Sequence, residues 1–285
     1  IPMWVEETKT GVRIPHAPPL DLAQTLDCGQ CFRFEPDGTG GYRGVAGRAA
    51  AAIRREGEAL LIEGTEERPV TGALFESFWR RYLDLDRDYE AIYRSLVRRM
   101  GGKMGRCVRF SPGMRVLRQD PFEALISFIL SQNNNVPRIK GIVRRLCRFG
   151  EHLGEEDYAF PTPERIVSLS AEELSTLRCG WRDAYIQDAA RRVAEGTLDL
   201  GRVASLPLEE ARRELQTVRG IGPKVADCVL LYGLGRLDAF PLDVWMKRAM
   251  VSLFPGKAPA DFGRYAGIAQ QVIFHYCRCH PQEVR

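Results

Sequence analysis

The sequence predicts an α+β protein: an N-terminal antiparallel β-sheet domain followed by two mainly α-helical subdomains, with two helices joined by a tight glycine hairpin. Three observations carry this. Turn-forming residues cut the stretch from about Leu20 to Gly64 into short alternating segments. After residue 70 the apolar period changes from two to one near 3.6. A Gly-Ile-Gly turn then separates two helical stretches at 220–222.

The elements follow in order. Cys31-Phe-Arg-Phe34 alternates, and Pro36 to Gly41 is a dense turn signal. Segments at 42–45, 50–55 and 59–62 complete a predicted meander of about four strands. Phe75, Phe78, Trp79 and Tyr82 fall on one helical face. Asp120-Pro121 supplies a cap and a first-turn proline for a helix whose Phe122, Leu125, Ile126, Ile129 and Leu130 face inward. Further helices are expected around 139–149, 171–178, 183–195, 208–217, 223–234, 243–253 and 262–277. The boundary is placed at Ser111-Pro112-Gly113, dividing the chain into 1–112 and 113–285.

The composition is that of a globular protein: at 285 residues and 45% hydrophobic the chain can bury two or three compact units. No apolar run approaches the roughly 20 residues that span a bilayer, so no membrane partner is expected. Met3 reads as the natural start, with Ile1-Pro2 an extraneous remnant, and the expected location is intracellular, cytoplasmic or nucleoid-associated if the source is prokaryotic. The net charge of +4 permits a polyanionic partner without requiring one. Its distribution is more specific. No acidic residue lies between Ala91 and Gln119, where Arg94, Arg98, Arg99, Lys103, Arg106, Arg109, Arg115 and Arg118 accumulate. Arg138, Lys140, Arg144, Arg145 and Arg148 form a second run. Such runs suit phosphate contacts, and equally suit helix faces whose acidic partners lie elsewhere.

Eight cysteines in a chain of this size read as reduced thiols. Cys28-Gly-Gln-Cys31 has redox or zinc half-site spacing, and Cys277-Arg-Cys279-His280 adds candidate ligands. The first pair does not open a helix after a βαβ pattern, and the second fits no zinc knuckle, so coincidence is the better reading.

The stretch with chemical content is Leu215-Gln-Thr-Val-Arg-Gly-Ile-Gly-Pro-Lys-Val-Ala-Asp-Cys228. A helix ending at Val218, a turn at Gly220-Ile221-Gly222 and a helix opened by Pro223 expose backbone N–H groups suited to a phosphate. Such a hairpin grips backbone without reading bases, and an ordinary helical corner has the same letters. Lys224 lies in the first turn of the second helix, and Asp243 follows in Pro241-Leu-Asp-Val-Trp-Met246. Asp243 is suited to capping the helix it precedes. A neutral lysine amine attacks a sugar C1′ as a base departs, and an aspartate steadies the developing positive charge. Cys228, one turn beyond Lys224, is placed as its proton partner.

The hairpin, the lysine and the Pro-x-Asp resemble the helix-hairpin-helix DNA glycosylases, and the lysine their bifunctional members. Cys28-Gly-Gln-Cys-Phe-Arg-Phe34, Leu117 to Arg138, Gly180-Trp-Arg-Asp-Ala-Tyr185 and Tyr265 to Phe274 are similar, in order, to stretches of the 8-oxoguanine glycosylases. The resemblance implies a double-stranded DNA partner containing 8-oxoguanine, a monomer, no organic cofactor and a lysine Schiff base. The iron–sulfur branch is disfavoured, because its C-x6-C-x2-C-x5-C run is absent from the sequence. The resemblance places the Gly29 carbonyl on N7–H of the damaged base, Gln270 on its Watson–Crick edge, and Phe274 and Cys228 on its two faces. It puts Asn133 in the vacated gap, Trp181 in the stack, and Arg138 with Arg182 on the orphaned cytosine. Gly220 and Gly222 shape the phosphate-binding hairpin, and carbonyls of Gln216, Val218 and Ile221 are implied to hold a sodium, calcium or magnesium ion. Trp181 and Trp245 stand where animal members have a tyrosine and a phosphate-touching histidine, and Phe34 and Pro137 also depart from the animal motifs. A glycosylase for another lesion, a DNA-binding module without chemistry and a redox protein are the competing readings.

Overall fold

The computed structural model describes residues 3–284, so Ile1 and Pro2 lie outside the described residues. One six-stranded antiparallel sheet runs in the order β1-β2-β6-β5-β4-β3. Its strands are β1 (Glu6–Glu7), β2 (Gly11–Ile14), β3 (Phe34–Pro36), β4 (Tyr42–Ala46), β5 (Ala49–Glu56) and β6 (Ala59–Glu63). The predicted meander is present as β3 to β6, but its first strand starts three residues later than Cys31. Residues 28–33 form an irregular loop instead. The buried Gln30 amide donates to the carbonyls of Thr25 and Arg115, each at 2.7 Å, and accepts from the Leu117 N–H at 2.9 Å. Those bonds hold the loop without a sheet partner, so backbone pairing is unnecessary there. β2 was not anticipated. It pairs with β6 at a place where a Cβ on Gly11 would lie 2.2 Å from the Ile62 carbonyl, so close pairing needs glycine.

A short helix α1 (Leu22–Leu26) precedes β3. α2 (Gly72–Leu74) continues through a π turn, Phe75–Trp79, into α3 (Arg80–Tyr82), and its aromatic face covers the sheet. Then come α4 (Tyr89–Met100) and α5 (Gly102–Phe110), two helices that the charge-run reading of 91–119 did not resolve. α6 (Pro121–Leu130), capped by Asp120, is buried at every position from 122 to 130 and is the axis of the helical core. Around it lie α7 (Val136–Cys147), a hairpin of β7 (His152–Gly154) and β8 (Asp157–Tyr158), α8 (Pro163–Val167), α9 (Ala171–Thr176) and α10 (Arg182–Ala194). α11 (Leu200–Ser205) and α12 (Leu208–Gln216) lead to α13 (Pro223–Cys228), which runs on as a π turn over Val229–Gly233. α14 (Val244–Ser252) and α15 (Ala266–Cys279) complete the chain.

Beside a small cluster of Val45, Leu153 and Ala159, two large cores divide the described residues. One belongs to the sheet and α1 to α3, the other to the helices. α4 and α5 bury Ile92, Tyr93, Leu96, Met104 and Cys107 in the second core, with α5 against α15 and α4 against α5. The stretch before the predicted division at residue 112 therefore contributes to both cores. Cys28 and Cys31 face different cores, which separates the two thiols of the Cys-x-x-Cys spacing.

About half of the basic residues in the two runs have partners within the fold. Arg115 is buried and donates to carbonyls of Pro19 and Asp84. Lys140 donates to Asp27, Glu35 and the Phe34 carbonyl, Arg144 to Glu35, and Arg145 to the Leu177 carbonyl. Arg94 pairs with Glu90 and Arg106 with Glu283. Acidic partners from remote positions engage Lys140, Arg144 and Arg106, a helical neighbour engages Arg94, and backbone carbonyls engage Arg115 and Arg145, so the phosphate reading is not needed for these six. Among the described residues no helix is long and apolar enough to cross a membrane.

Candidate active site and DNA-facing surface

α13 supplies the first wall of a narrow crevice. Lys224, Cys228 and Tyr232 recur every fourth residue on one side of this helical run, and all three line the crevice with Phe128 of α6. The Lys224 amine stands 5.5 Å from the Phe128 ring centroid, and that ring stacks on Tyr232 with centroids 5.2 Å apart. The opposite walls come from Pro241 and Asp243, from Gln270, Gln271 and Phe274 of α15, and from Gly29 of the loop before β3. Residues spread from position 29 to 274 therefore converge on one site.

Asp243 is the N-cap of α14: its Oδ1 accepts the Met246 N–H at 2.8 Å. The capping role expected from sequence is real, and it orients the carboxylate rather than competing with chemistry. One oxygen is held by the cap, and the carboxylate lines the crevice. Cys228 is fully enclosed, and burial pushes its thiol up to about 11 against the lowering influence of Lys224. At neutral pH it is therefore a thiol that can share a hydrogen bond with Lys224 but does not carry a negative charge. That narrows its expected part as proton partner.

Gly29 adopts φ +87, a left-handed conformation that suits glycine, and its position faces Val136 and Phe274. The Gln30 bonds fix this turn, and the Gln119 amide holds the Gln30 carbonyl. Gln30, Phe128, Tyr232 and Gln271 were given no role by the sequence reading. The four-residue recurrence from Lys224 through Cys228 to Tyr232 was the available signal for Tyr232. Gln271 carried none beyond its adjacency to Gln270.

The hairpin forms as predicted, except that α12 ends at Gln216 rather than Val218. Gly220 has φ +85, and a Cβ there would sit 2.1 Å from Cδ2 of the Tyr185 ring. Gly222, in contrast, has open space where a Cβ would project, beside the uncapped first turn of α13. The first glycine serves packing and the second leaves access to the helix N-terminus. Gly220→Ala is therefore expected to cost about 2 kcal/mol or more through strain and overlap. Urea denaturation checks this; an unchanged midpoint would show that Tyr185 yields freely.

Two loops carry the other residues expected to face DNA. Asn133 is exposed with φ +50, between Gln132 and Asn134. Trp181 is 52% exposed, with the Arg182 guanidinium 4.2 Å from its ring centroid. Arg138 is exposed on the first turn of α7. Arg182 is placed differently from Arg138: it is buried, donating to the carbonyls of Gln132 and Cys179, and so ties the two loops together. Its pKa is lowered by burial first and by the nearby Arg138 second. Trp245 is half-buried at the start of α14, with Arg248 near its ring.

Residues 12–125 match the model of the 8-oxoguanine DNA glycosylase N-terminal domain, and residues 126–261 that of the HhH-GPD superfamily of base excision DNA repair proteins. The chain is 30% identical over 286 residues to the N-glycosylase/DNA lyase OGG1 of Arabidopsis thaliana, covering 90% of this chain and 76% of that protein. Among solved structures it is similar to MBOgg1 in complex with a low affinity DNA ligand, at 38% identity and TM-score 0.91, over 99% of this chain and 100% of that one. It is likewise similar to the Clostridium acetobutylicum 8-oxoguanine glycosylase/lyase in complex with DNA containing cytosine opposite 8-oxoguanine. There the identity is 34% and the TM-score 0.89, over 98% of each chain. With full-length agreement in sequence and fold added to the convergent crevice, the chain belongs to the 8-oxoguanine DNA glycosylase family of the HhH-GPD superfamily.

Proposed function

We propose that this chain binds duplex DNA, extrudes 8-oxoguanine paired with cytosine, excises it, and then nicks the strand as an AP lyase. The observation that carries this reading is the single crevice that gathers Lys224, Asp243, Cys228, Gly29, Gln270 and Phe274. The Lys224 amine forms a bond to C1′ while the C1′–N9 bond breaks, and a proton that the attacking nitrogen sheds passes to the departing base. Asp243 steadies the positive charge that builds on the sugar. Opening of the sugar ring gives the imine; loss of a C2′ proton then expels the 3′ phosphate by β-elimination. Side chains alone perform these steps, and no organic cofactor enters them.

The pocket roles follow the chemistry of the base. N7 of 8-oxoguanine carries a hydrogen that the Gly29 carbonyl accepts, and Gln270 reads the Watson–Crick edge. Phe274 and Cys228 close on the ring faces. Asn133 fills the vacated space and Trp181 replaces stacking, as a protruding aromatic ring can. Arg138 and Arg182 repel each other until an acceptor-rich cytosine edge lies between them, for which Arg182 exchanges its carbonyl partners. Gly220, Gly222 and the first turn of α13 hold a phosphate, and Trp245 packs beside the backbone. In the hairpin the Val218 carbonyl accepts the Ile221 N–H at 3.1 Å and keeps a second lone pair. With the Gln216 and Ile221 carbonyls it would hold a sodium, calcium or magnesium ion, which would supply positive charge beside the phosphate. The protein acts as a monomer.

A panel of duplexes tests this reading, each with one lesion and assayed for free base. Release of 8-oxoguanine opposite cytosine should exceed release of oxidised pyrimidines or alkylated purines by about 100-fold or more. Equal release across the panel would contradict the assignment of Gly29 and Gln270.

A further inference from the structure

Behind Gln270 lies a chain of buried polar groups that the chemistry above does not use. Gln271 is 1% exposed; its Nε2 donates to Cys28 Sγ at 2.8 Å, and its Oε1 accepts the Tyr232 hydroxyl. Cys28 Sγ in turn donates to the Thr25 carbonyl at 3.7 Å. Tyr232 Oη also lies 3.3 Å from Oε1 of Gln270. All four side chains belong to buried residues that meet at the back of the base crevice.

The directions of these bonds constrain one another. A thiol has one hydrogen, and a carbonyl can only accept; Cys28 therefore gives its hydrogen to Thr25 and presents sulfur lone pairs to Gln271. Gln271 must turn its NH2 to that sulfur, which leaves its carbonyl facing Tyr232. The phenol also has one hydrogen, and the closer Gln271 oxygen takes it. The second contact, between Tyr232 Oη and Gln270 Oε1, then joins two oxygens with no hydrogen between them. A half-turn of the Gln270 amide removes the conflict, because Nε2 donates to Tyr232 and Oε1 faces the crevice. Burial favours this arrangement, since a polar atom left unpaired in such a place loses its solvation without replacing it.

We propose that Cys28, Gln271 and Tyr232 are positioning residues: a one-way hydrogen-bond relay from the Thr25 carbonyl that holds the Gln270 carbonyl toward the substrate base. This rests on the reading of Gln270 as the group that meets the Watson–Crick edge. A carbonyl there accepts from N1–H and the 2-amino group of a guanine-type base. An adenine-type base offers a bare N1 at that edge, so the relay sets base identity while Gly29 senses oxidation. The enclosed Cys28 thiol, pushed up to about 11 by burial, keeps the hydrogen on which the polarity depends.

The experiment measures kcat/KM for release of 8-oxoguanine and of 8-oxoadenine, each opposite cytosine, with melting temperature confirming the fold of each variant. Tyr232→Phe removes the hydroxyl that orders the two amides, and the preference for 8-oxoguanine should fall by about 10-fold or more. Cys28→Ala should lower it in the same direction, whereas Cys28→Ser, which restores one donor and an acceptor, should keep the preference within about twofold. An unchanged preference in Tyr232→Phe and Cys28→Ala would overturn the relay, as would equal losses on both substrates with Cys28→Ser no better than Cys28→Ala. If Tyr232→Phe does not fold, the Cys28 pair decides alone. Failure of the unaltered protein to release 8-oxoguanine would overturn the functional reading itself.

Discussion

Lys224→Gln is expected to lower base release by on the order of 10⁴-fold or more, while duplex affinity stays within about threefold. The separation follows from where the residue stands. The hairpin that grips the backbone is built by Gly220, Gly222 and the first turn of α13, and glutamine is accommodated in that turn at little cost in helix propensity. The amine itself meets the Phe128 ring and Cys228 inside the crevice, not the hairpin surface. Without it no bond to C1′ forms, so both excision and the Schiff base disappear. Single-turnover base release and fluorescence anisotropy on the same duplex measure the two quantities. A variant that loses binding in proportion to activity would place Lys224 in DNA retention instead.

The second large effect concerns Asp243, whose two roles can be separated. Asparagine caps a helix as well as aspartate does, and its oxygen can accept the Met246 N–H as Oδ1 does now. Asp243→Asn should therefore leave unfolding free energy within about 0.5 kcal/mol of the parent. It removes the negative charge facing the sugar, and base release should fall by about 100-fold. Asp243→Ala loses both, adding a stability cost of about 1 kcal/mol. If Asp243→Asn retained full activity, the carboxylate would be a cap and nothing more.

The site was legible in the sequence where one residue type has few other uses at a given spacing. Lys224 after a glycine hairpin, and Asp243 in Pro-x-Asp, named themselves as a nucleophile and a charge partner, and both line the crevice. The sheet was legible from β3 to β6 because turn residues punctuate alternating strands. β2 was not, because four residues with one arginine do not distinguish a central strand from a loop; its pairing with β6 is set by tertiary contact. The basic runs left two readings open for a related reason. Asp27, Glu35 and Glu283, which neutralise Lys140, Arg144 and Arg106, are brought in by folding from positions remote in the chain. Arg182 shows the same limit: the resemblance implies a donor free to meet cytosine, yet folding buries it and gives its hydrogens to the Gln132 and Cys179 carbonyls. Direction along a relay such as Cys28 to Gln270 appears only when burial and distance are known, since each residue alone is an ordinary polar or sulfur side chain.

Borohydride trapping on a duplex carrying one 8-oxoguanine opposite cytosine tests the central assignment most directly. The parent protein should yield a covalent protein–DNA band, and Lys224→Gln should yield none. No band from the parent, with damaged and undamaged duplexes bound equally, would contradict the glycosylase mechanism and leave a protein that only binds DNA.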